Sequence, residues 1–448
     1  MDESSALDPS SIPAVGGGFP SFGGSRPAGA KPANWAGNVE FGAERVHFPE
    51  SVEQVQSVVR RSRKVRALGW GHSFSRIADC AGDLVSLRRM NGVVGLDPVA
   101  STVTVQAGIS YGELSAYLHA NGHALHNLPS TPHVSVAGAC ATATHGSGLG
   151  NGNLATAVSA IQFVDGAGEV VTLARGKDGD AFQGAVVALG GLGAVTALTL
   201  DVQPAFDVAQ AVYRDLAMGE LENHFHAIVS SGYSVSLFTD WAGNKVNQVW
   251  IKRRAGDGGP APGSDFHGAR PATRNVHPVE GHPAENTTEQ MGVPGPWHER
   301  LPHFRMGCMP SIGRELHSEY FVPLEHGIHA IRAMQALQER LAPHLFVSEL
   351  RTVAADGLWM SPCYGRACLA VHTTWKPEWE HVIRLLPLME EKLAPYEAVP
   401  HWGKLFTMRP AALRSRFARL PDFRALLARY DPGGKFRNDF LDRYVHPA

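Results

Sequence analysis

The sequence predicts an α+β protein of two domains, and three observations favour this class. The chain has 448 residues, a length that favours two or three domains. Strand and helix patterns alternate in its first half, whereas most apolar segments of the second half are typical of strands. The 48 glycines and 30 prolines indicate a turn-rich chain rather than a helical bundle.

The N-terminal part is predicted to begin with a tail and a β-α-β unit. Residues 1–33 are rich in glycine, proline, serine and alanine without periodicity, so we expect a flexible tail. A short strand at 45–48 precedes Ser51 and Gln54, which have the spacing of a capping box at a helix start. After that helix, a strand at 65–68 leads into a glycine loop.

The rest of the first domain, 34–205, alternates strands with one helix. We predict strands at 101–107, 161–164, 170–173 and 194–202, and an amphipathic helix at 111–122.

The second domain, 206–448, is predicted to hold one antiparallel sheet covered by helices on one face. Its candidate helices are 327–341 and 378–393, and residues 255–300 have the composition of a long loop. Its candidate strands are 234–238, 248–252, 316–322, 345–352 and 369–375.

Charge and composition exclude several classes of protein. The 40 basic and 42 acidic side chains give a net charge of −2, which argues against a nucleic-acid partner. No apolar run reaches the length of a membrane span, and no signal-peptide pattern opens the chain. Five cysteines without a CxxC motif favour a reducing cytoplasm. Because there is no coiled-coil pattern, we expect a monomer.

Known metal and nucleotide motifs are missing from the sequence. The histidine pairs His123/His126 and His326/His329 lack the further ligands of a catalytic metal site, so we expect no metal. The nearest match to the dinucleotide-binding motif GxGxxG/A, at 256–261, lies in a proline-rich loop and precedes no helix pattern, and there is no P-loop.

Two runs of small residues in the first domain indicate a nucleotide cofactor of another kind. Residues 67–73 follow a strand and contain two glycines, which let backbone N–H groups approach a diphosphate. Residues 136–148 have almost no large side chains, so a flat ligand could lie against the main chain. Each run could instead serve only close packing, but two such runs in one domain favour the cofactor.

Polar residues two apart on candidate strands share a sheet face. Such pairs occur in three strands, as Glu349/Arg351, His372/Thr374 and His317/Glu319. This face could lie in water or could line a site. Lys404, close to Trp402 and Phe406, favours the site, because a partly buried lysine needs a partner.

The segment Gly69-Trp70-Gly71-His72-Ser73 resembles the flavin loop of the vanillyl-alcohol-oxidase superfamily. Further segments narrow the resemblance to the bacterial alditol oxidases, which act on sugar alcohols, and it covers about residues 34 to 440. These segments are 34–38, 132–138, 144–148, 236–241, 295–304, 351–356 and 401–404.

The resemblance implies a two-domain FAD-binding fold whose FAD is attached covalently to His72, with the C-terminal segment returning to the flavin. The cofactor-binding residues that it implies, besides His72, are Ala67, Leu68, Gly69, Trp70, Gly71, Ser73, Ser130, Ser135, Gly138, Ala139, Cys140, Ala141, His145, Val195 and Lys404.

The resemblance also implies oxidation of a polyol by hydride transfer to flavin N5, with O2 reduced to H2O2. The catalytic residues that it implies are Lys404, Glu349, Arg351 and His372. The substrate-binding residues are Ser130, His317, Glu349, Arg351, Thr374 and Lys404. His317 stands where the family carries a glutamine, which puts the preferred substrate in question. Lys404, Glu349 and His372 all stay open as the proton acceptor.

Two other functions stay open at this point. Aldonolactone oxidases and dehydrogenases share the flavin domain and an ending like residues 434–440 of this chain. A carbohydrate-binding scaffold without turnover is the alternative from another class, and a protein without bound flavin would support it.

Overall fold

The structure is a computed structural model, and it describes residues 31–257, 265–306 and 315–446. Apart from residues 31–33, the predicted tail lies outside the described residues. None of the described helices is long and apolar enough to cross a membrane.

The described chain begins with a small parallel sheet of strands β1 (Arg45–His47), β2 (Val65–Leu68) and β3 (Asp83–Ser86), in the order β1-β3-β2. Helix α1 (Val52–Arg61) connects β1 to β2 and buries three of its valines. Its predicted N-cap is confirmed, because the Ser51 side chain accepts a hydrogen bond from the Gln54 backbone N–H. The predicted β-α-β unit is therefore present.

A five-stranded antiparallel sheet with the order β4-β5-β9-β7-β8 completes the N-terminal part, and β6 pairs with β10 beside it. The elements are β4 (Val93–Asp97), β5 (Thr102–Gln106), α2 (Tyr111–Ala120), β6 (His123–Ala124), α3 (Val136–Ala141), β7 (Val158–Val164), β8 (Val170–Ala174), α4 (Gly179–Val186), β9 (Ala194–Asp201) and β10 (Gln203–Pro204).

The C-terminal half is built on a nine-stranded antiparallel sheet with the order β14-β11-β13-β12-β17-β18-β16-β19, and β15 also pairs with β11. Its elements are β11 (Asp207–Ala217), α5 (Met218–Val229), β12 (Ser234–Thr239), β13 (Lys245–Arg254), β14 (Arg270–Pro271), β15 (Gly295–Pro296), α6 (Trp297–Arg300), β16 (Leu316–Pro323), α7 (Gly327–Gln335), α8 (Gln338–Leu341), β17 (Leu345–Val353), β18 (Cys368–Trp375), α9 (Trp379–Leu393), β19 (Val399–Pro400), α10 (Pro410–Arg414), α11 (Leu420–Tyr430) and α12 (Asp439–Tyr444).

The five strands predicted for this half are all present, within a few residues of their predicted bounds. Strand β11 and helix α5 were not predicted, because polar residues interrupt the apolar pattern of both. The predicted helix 327–341 is divided into α7 and α8. Within the described part of the predicted loop 255–300, only β14, β15 and α6 are regular.

Helices α5, α7 and α9 cover one face of the large sheet, as predicted. Apolar residues from these helices form one core cluster with strand residues such as Tyr320, Leu350 and Val371. Strand side chains alternate between the two faces, so the neighbours Glu319, Glu349 and His372 point to the opposite face. That face turns toward the N-terminal part. The domain boundary near residue 205 stays a prediction.

Candidate active site

A cavity of about 310 Å3 lies between the glycine-rich segments of the N-terminal part and the uncovered face of the large sheet. Most of the predicted site residues line it. They are Ala67, Leu68, Gly69, Trp70, Gly71, His72, Ser73, Ser130, Ser135, Gly138, Ala139, Ala141, His145, Val195, His317, Glu349, Arg351, His372, Thr374 and Lys404.

Among the described residues, Cys140 is the one predicted site residue that does not line this cavity. Its side chain is buried, and its Sγ lies 3.6 Å from the hydroxyl of Tyr111. Because Cys140 lies in helix α3 beside the cavity-lining Ala139 and Ala141, its backbone is close to the cavity although its thiol packs in the core.

The loop after β2 presents backbone donors to the cavity. Gly71 has a φ of 74°, a conformation that glycine adopts without strain. Within the described chain, the backbone N–H groups of Gly69, Gly71, His72 and Ser73 donate to no protein acceptor. These residues are half-buried, so their N–H groups are free to bind a ligand, and this loop is suited to hold an anionic group.

Small residues let this loop approach helix α3. The Ser135 side chain caps the helix by accepting a hydrogen bond from the Gly138 N–H. A Cβ atom on Gly69 would lie 2.6 Å from Ser135 Oγ, and one on Gly138 would lie 2.7 Å from it. Both glycines are therefore required for the loop and the helix to form one continuous wall.

Arg66, in β2, connects this loop to three distant segments. Its guanidinium donates hydrogen bonds to the backbone carbonyls of Gly190 at 2.7 Å, Leu189 at 2.7 Å and Phe436 at 2.9 Å. It also donates to the carbonyl of Ile77. Arg66 is only 2% exposed, so these carbonyls replace the water that the charge would otherwise bind.

His72 projects from the loop into the region between the two walls. Its ring stacks on Trp35 with centroids 5.4 Å apart and an interplanar angle of 25°. Burial, reinforced by the charge of Lys404, lowers the pKa of His72 to about 3. The imidazole is therefore neutral at physiological pH, and a neutral ring nitrogen is a nucleophile.

The opposite wall carries a row of charged side chains. Glu319, His372 and Glu349 lie side by side on β16, β18 and β17. Arg351 connects the walls, because its Nη2 donates to Glu319 Oε1 at 3.0 Å and its Nη1 donates to Ser130 Oγ at 3.0 Å. The prediction that these strands share one polar face toward a site agrees with this geometry.

Glu319 was recognised as part of the polar face but was not assigned to the site. Its Oε1 also lies 3.1 Å from His145 Nε2, and both side chains are 2% exposed. Burial alone would raise the pKa of Glu319, but His145, His372 and Arg351 hold it well below its usual range. Glu319 is thus a buried carboxylate that holds Arg351 in place.

Lys404 is hydrogen-bonded to the residue that departs from the family pattern. Its Nζ donates to His317 Nδ1 at 2.8 Å, and His317 Nε2 lies 3.0 Å from Glu315 Oε1. The His317 ring also stacks on Phe74 with centroids 4.4 Å apart. Burial lowers the pKa of Lys404 to about 8 and raises that of Glu315 to about 7. These three groups form a continuous hydrogen-bonded chain.

His372 and Thr374 complete the polar wall. His372 Nε2 lies 3.2 Å from Thr374 Oγ1. The other ring nitrogen, Nδ1, is buried without a hydrogen-bond partner among the described residues. It lies 3.8 Å from Glu319 Oε1. Burial holds the pKa of His372 well below its usual value, so the ring is neutral.

Two further residues behind Glu349 had no predicted role. His303 Nε2 lies 2.7 Å from Glu349 Oε1, and Lys252 Nζ lies 3.2 Å from His303 Nδ1. Lys252 is at the end of a predicted strand and His303 lies in a segment that carries the family resemblance. Neither position has a local signal that would connect it with Glu349.

Two family models match this chain. An FAD-binding domain model matches residues 43–174, and a D-arabinono-1,4-lactone oxidase model matches residues 303–444. The alditol oxidase of a Streptomyces species (strain IKD472 / FERM P-14339) is 48% identical over 411 residues, which cover 91% of this chain and 97% of that protein. This chain belongs to the alditol oxidase family. More distant members of the wider group include the L-gulono-1,4-lactone dehydrogenase of Mycobacterium tuberculosis (strain H37Rv), 28% identical over 93% of this chain and 99% of that protein.

Solved structures confirm the fold of this alditol oxidase family member. A solvent-stable cholesterol oxidase superposes with a TM-score of 0.74 at 14% identity, covering 92% of this chain and 97% of that chain. The cholesterol oxidase of B. sterolicum superposes with a TM-score of 0.72 at 15% identity, covering 92% of this chain and 96% of that chain. The predicted two-domain FAD-binding fold of the vanillyl-alcohol-oxidase superfamily is therefore confirmed.

The N-terminal wall fits the FAD that an alditol oxidase requires. The backbone N–H groups of Gly69, Gly71, His72 and Ser73, which have no protein acceptor among the described residues, suit the diphosphate. Small residues of α3, namely Gly138, Ala139 and Ala141, line the same cavity. His72 lies in the same loop and lines the same cavity.

Two surface clusters outside the cavity combine metal-ligand side chains. They are Glu220/His224/His267 and His344/Glu378/His381, and both are partly or fully exposed. Neither cluster contributes a residue to the lining of the cavity.

Proposed function

We propose that this protein is an FAD-dependent alditol oxidase that oxidises a hydroxyl of a polyol such as xylitol or sorbitol to the aldose or ketose. The loop 69–73 and helix α3 would hold the FAD, which would supply a hydride acceptor at N5, with O2 as the final oxidant reduced to H2O2. The observation that carries the proposal is the polar row of Glu319, His372 and Glu349 facing the small-residue loops across one cavity.

The polar wall suits a substrate with several hydroxyl groups. Glu349 accepts hydrogen bonds, whereas Arg351 and Lys404 donate them. Ser130 and Thr374 do either. A site built for hydroxyls rejects analogues that lack them, because its buried polar groups would lose their partners.

The pKa values separate the three candidate proton acceptors. Burial alone would raise the pKa of Glu349, but Arg351 and His303 hold it well below the usual value, so Glu349 is a weak base. His372 is likewise a weak base. Lys404, with a pKa of about 8, is partly neutral near physiological pH. We assign it as the group that takes the hydroxyl proton.

The chain from Lys404 gives this proton a route away from the substrate. Lys404 donates to His317 Nδ1, and a proton on His317 Nε2 can pass to Glu315. A glutamine at position 317, as the family carries, would bridge these groups but could not itself transfer a proton. His317 therefore gives this chain a relay as well as a substrate contact.

We also propose that FAD is attached covalently through His72. The support is its half-buried, neutral imidazole on the loop whose Gly69, Gly71, His72 and Ser73 N–H groups have no protein acceptor among the described residues. In the His72→Ala variant, acid precipitation should release FAD into the supernatant. In the wild-type protein the flavin should stay with the precipitate. Flavin that stays attached in the variant would assign the linkage to another residue.

Oxidation of an aldonolactone is the second candidate function. The D-arabinono-1,4-lactone oxidase model matches the segment that contains His317, Glu349 and Lys404. A lactone has fewer free hydroxyls and a carbonyl, so it would leave more of the polar wall without partners. We therefore favour the polyol.

Anaerobic titration of the flavin absorbance decides between these candidates. Xylitol, sorbitol and an aldonolactone are added in turn to the purified protein, and air is then admitted while H2O2 is measured. Bleaching by a polyol, followed by H2O2, supports the proposal. Bleaching by the lactone alone replaces it with the second candidate. A protein that carries no flavin as purified and binds none when it is added would favour a scaffold.

A cytoplasmic location and a monomeric state stay predictions from the sequence. The monomeric state is tested by light scattering on the purified protein at several concentrations. We expect the mass of one chain at all of them.

A further inference from the structure

A lysine lies buried behind the polar wall, in the middle of the large sheet. Lys252, in β13, is 1% exposed. Its Nζ donates hydrogen bonds to the backbone carbonyls of Leu301 and Pro302 and to the ring nitrogen Nδ1 of His303. Lys252 thus directs one N–H donor at the His303 ring, from a strand that contributes no residue to the cavity lining.

The neighbours of the two ring nitrogens determine which nitrogen of His303 carries the proton. A neutral imidazole has one N–H group and one acceptor nitrogen. The ionised Glu349 carboxylate can only accept, and its Oε1 lies 2.7 Å from Nε2, so the proton is on Nε2 and Nδ1 accepts from Lys252. Edge contacts with Phe238 and Trp250, at centroid distances of 5.4 and 5.3 Å, fix the plane of the ring.

The interactions of the Glu349 carboxylate converge on one oxygen. His303 Nε2 and, at 3.5 Å, Arg351 Nε both approach Oε1. Within the described residues, Oε2 has no hydrogen-bond partner, and Glu349 lines the cavity. One oxygen is thus held by the protein and the other is left for a ligand.

We propose that Lys252 and His303 are positioning residues that orient Glu349, so that its Oε2 faces the substrate hydroxyl. This inference rests on the proposed function, because the hydroxyl belongs to the polyol. It assigns a role in the reaction to two residues that do not touch the substrate. The arrangement is similar to a hydrolase triad, in which a buried group orients a histidine. Here the lysine orients the histidine, and the histidine orients the Glu349 carboxylate that accepts a hydrogen bond from the substrate.

The electrostatics of the three groups agree with this role. Burial lowers the pKa of Lys252 to about 7 and that of His303 to about 4. The charged groups that act on this pair are Glu349, which favours their protonated forms, and Arg351, which opposes them. His303 therefore stays neutral over the working pH range and donates to Glu349 without becoming charged.

The alternative is that Lys252 only holds the turn at residues 301–303 in place. Four variants separate the two roles. His303→Leu removes the donor to Glu349, and His303→Gln keeps an N–H donor at a similar position. Lys252→Met removes the donor to His303. Lys245→Met is the matched control, because Lys245 lies on the same strand and pairs with Asp215 at the partly exposed surface.

The limiting rate of flavin reduction by xylitol is measured by anaerobic stopped flow, together with the FAD content. In His303→Leu we expect the rate to fall about 100-fold at unchanged FAD content, because misplacing a reacting group by about 1 Å costs that much. The rate in His303→Gln should be at least about tenfold higher than the rate in His303→Leu, because glutamine keeps a donor to Glu349. Lys252→Met should lose about tenfold, and Lys245→Met should match the wild type.

The pH dependence gives a signature that a structural role would not produce. Loss of the His303 donor removes one interaction that lowers the pKa of Glu349. The inflection that Glu349 contributes to the rate profile, which lies below the one set by Lys404, should therefore move to higher pH in His303→Leu. In Lys245→Met this inflection should not move. Variants that lose FAD and thermal stability, but keep the wild-type rate per bound flavin and the same profile, would overturn the proposal.

A crystal structure of His303→Leu gives a readout that does not depend on turnover. We expect the Glu349 carboxylate to rotate away from its wild-type position; an unchanged carboxylate overturns the positioning role. If His303→Leu does not fold, Lys252→Met is crystallised instead and judged by the same criterion. A wild-type protein that no polyol reduces would refute the proposed function, and the crystallographic comparison would still decide whether the pair orients Glu349.

Discussion

The two walls of the cavity are built in opposite ways. The N-terminal wall uses backbone groups and small residues, as in the loop 69–73 and helix α3, whereas the wall on the large sheet uses long charged side chains. Backbone N–H groups suit a cofactor that stays in one place, because their positions are fixed by the fold. Side chains held by other side chains suit a substrate that must bind, react and leave. A substitution in the first wall should therefore affect cofactor content, and one in the second should affect rate.

The largest effect is expected from Lys404→Ala, in the side-chain wall. Flavin reduction by xylitol should fall by at least about 1,000-fold while the protein stays yellow, because the variant lacks both the base and a charge close to the substrate. Anaerobic stopped flow measures the rate. Rapid reduction of the variant would exclude Lys404 from the mechanism and remove the contrast between the walls.

A large loss of stability is expected from Arg66→Met, behind the backbone wall. The variant leaves buried carbonyls without the guanidinium, including those of Gly190 and Phe436, at a cost of about 3 kcal/mol or more. Thermal unfolding with and without bound FAD measures the effect. Arg60→Met, which removes an arginine from an exposed ion pair, should change the stability by less than about 1 kcal/mol.

Gly69→Ala tests the backbone wall directly. The added methyl group would meet Ser135 Oγ, which caps α3, so we expect a destabilisation of about 2 kcal/mol and a reduced FAD content. Gly150→Ala is the matched control, because a Cβ there meets no atom within 4 Å. A wild-type FAD content in Gly69→Ala would show that the loop 69–73 can move away from helix α3 without loss of cofactor binding.

The pH dependence sharpens the role of Lys404 in the side-chain wall. Burial lowers its pKa to about 8, so the neutral form grows as pH rises through that value. If neutral Lys404 takes the proton, the rate of flavin reduction should rise about tenfold from about pH 7 to 9 and then level off. A rate that falls over this range would mean that the charged form is needed, and that Lys404 stabilises negative charge instead.

The smallest effect is expected from His317→Gln, which introduces the residue that the family carries. The glutamine keeps a hydrogen-bonding side chain beside Lys404 but ends the route to Glu315. We expect a change of about tenfold or less in kcat, together with a shift in the relative kcat/KM for xylitol and sorbitol. Steady-state H2O2 production measures both. If the relative kcat/KM for xylitol and sorbitol did not change, His317 would have no role in substrate preference, and only its role in proton transfer would stay.

Local patterns in the sequence predicted much of each wall. Alternation placed Glu349 and Arg351 on one face of a strand, and the structure has them on the cavity side of β17. The glycines of residues 67–73 marked the loop after β2. Strand β11 was missed because Asp215 and Arg214 interrupt its apolar pattern, although pairing with β13 supplies its stability.

The sequence by itself determined which residue types were present and which neighbours share a face, because strand alternation and loop conformation depend on a few adjacent residues. Only the tertiary structure decided that Glu319, His372 and Glu349 stand side by side, since the register between distant strands depends on packing over the whole sheet. The same holds for Lys252 and His303, which are 51 residues apart and meet only because β13 and the following segment fold against one another. No local pattern contains that contact, and it is the contact that orients Glu349 in our proposal.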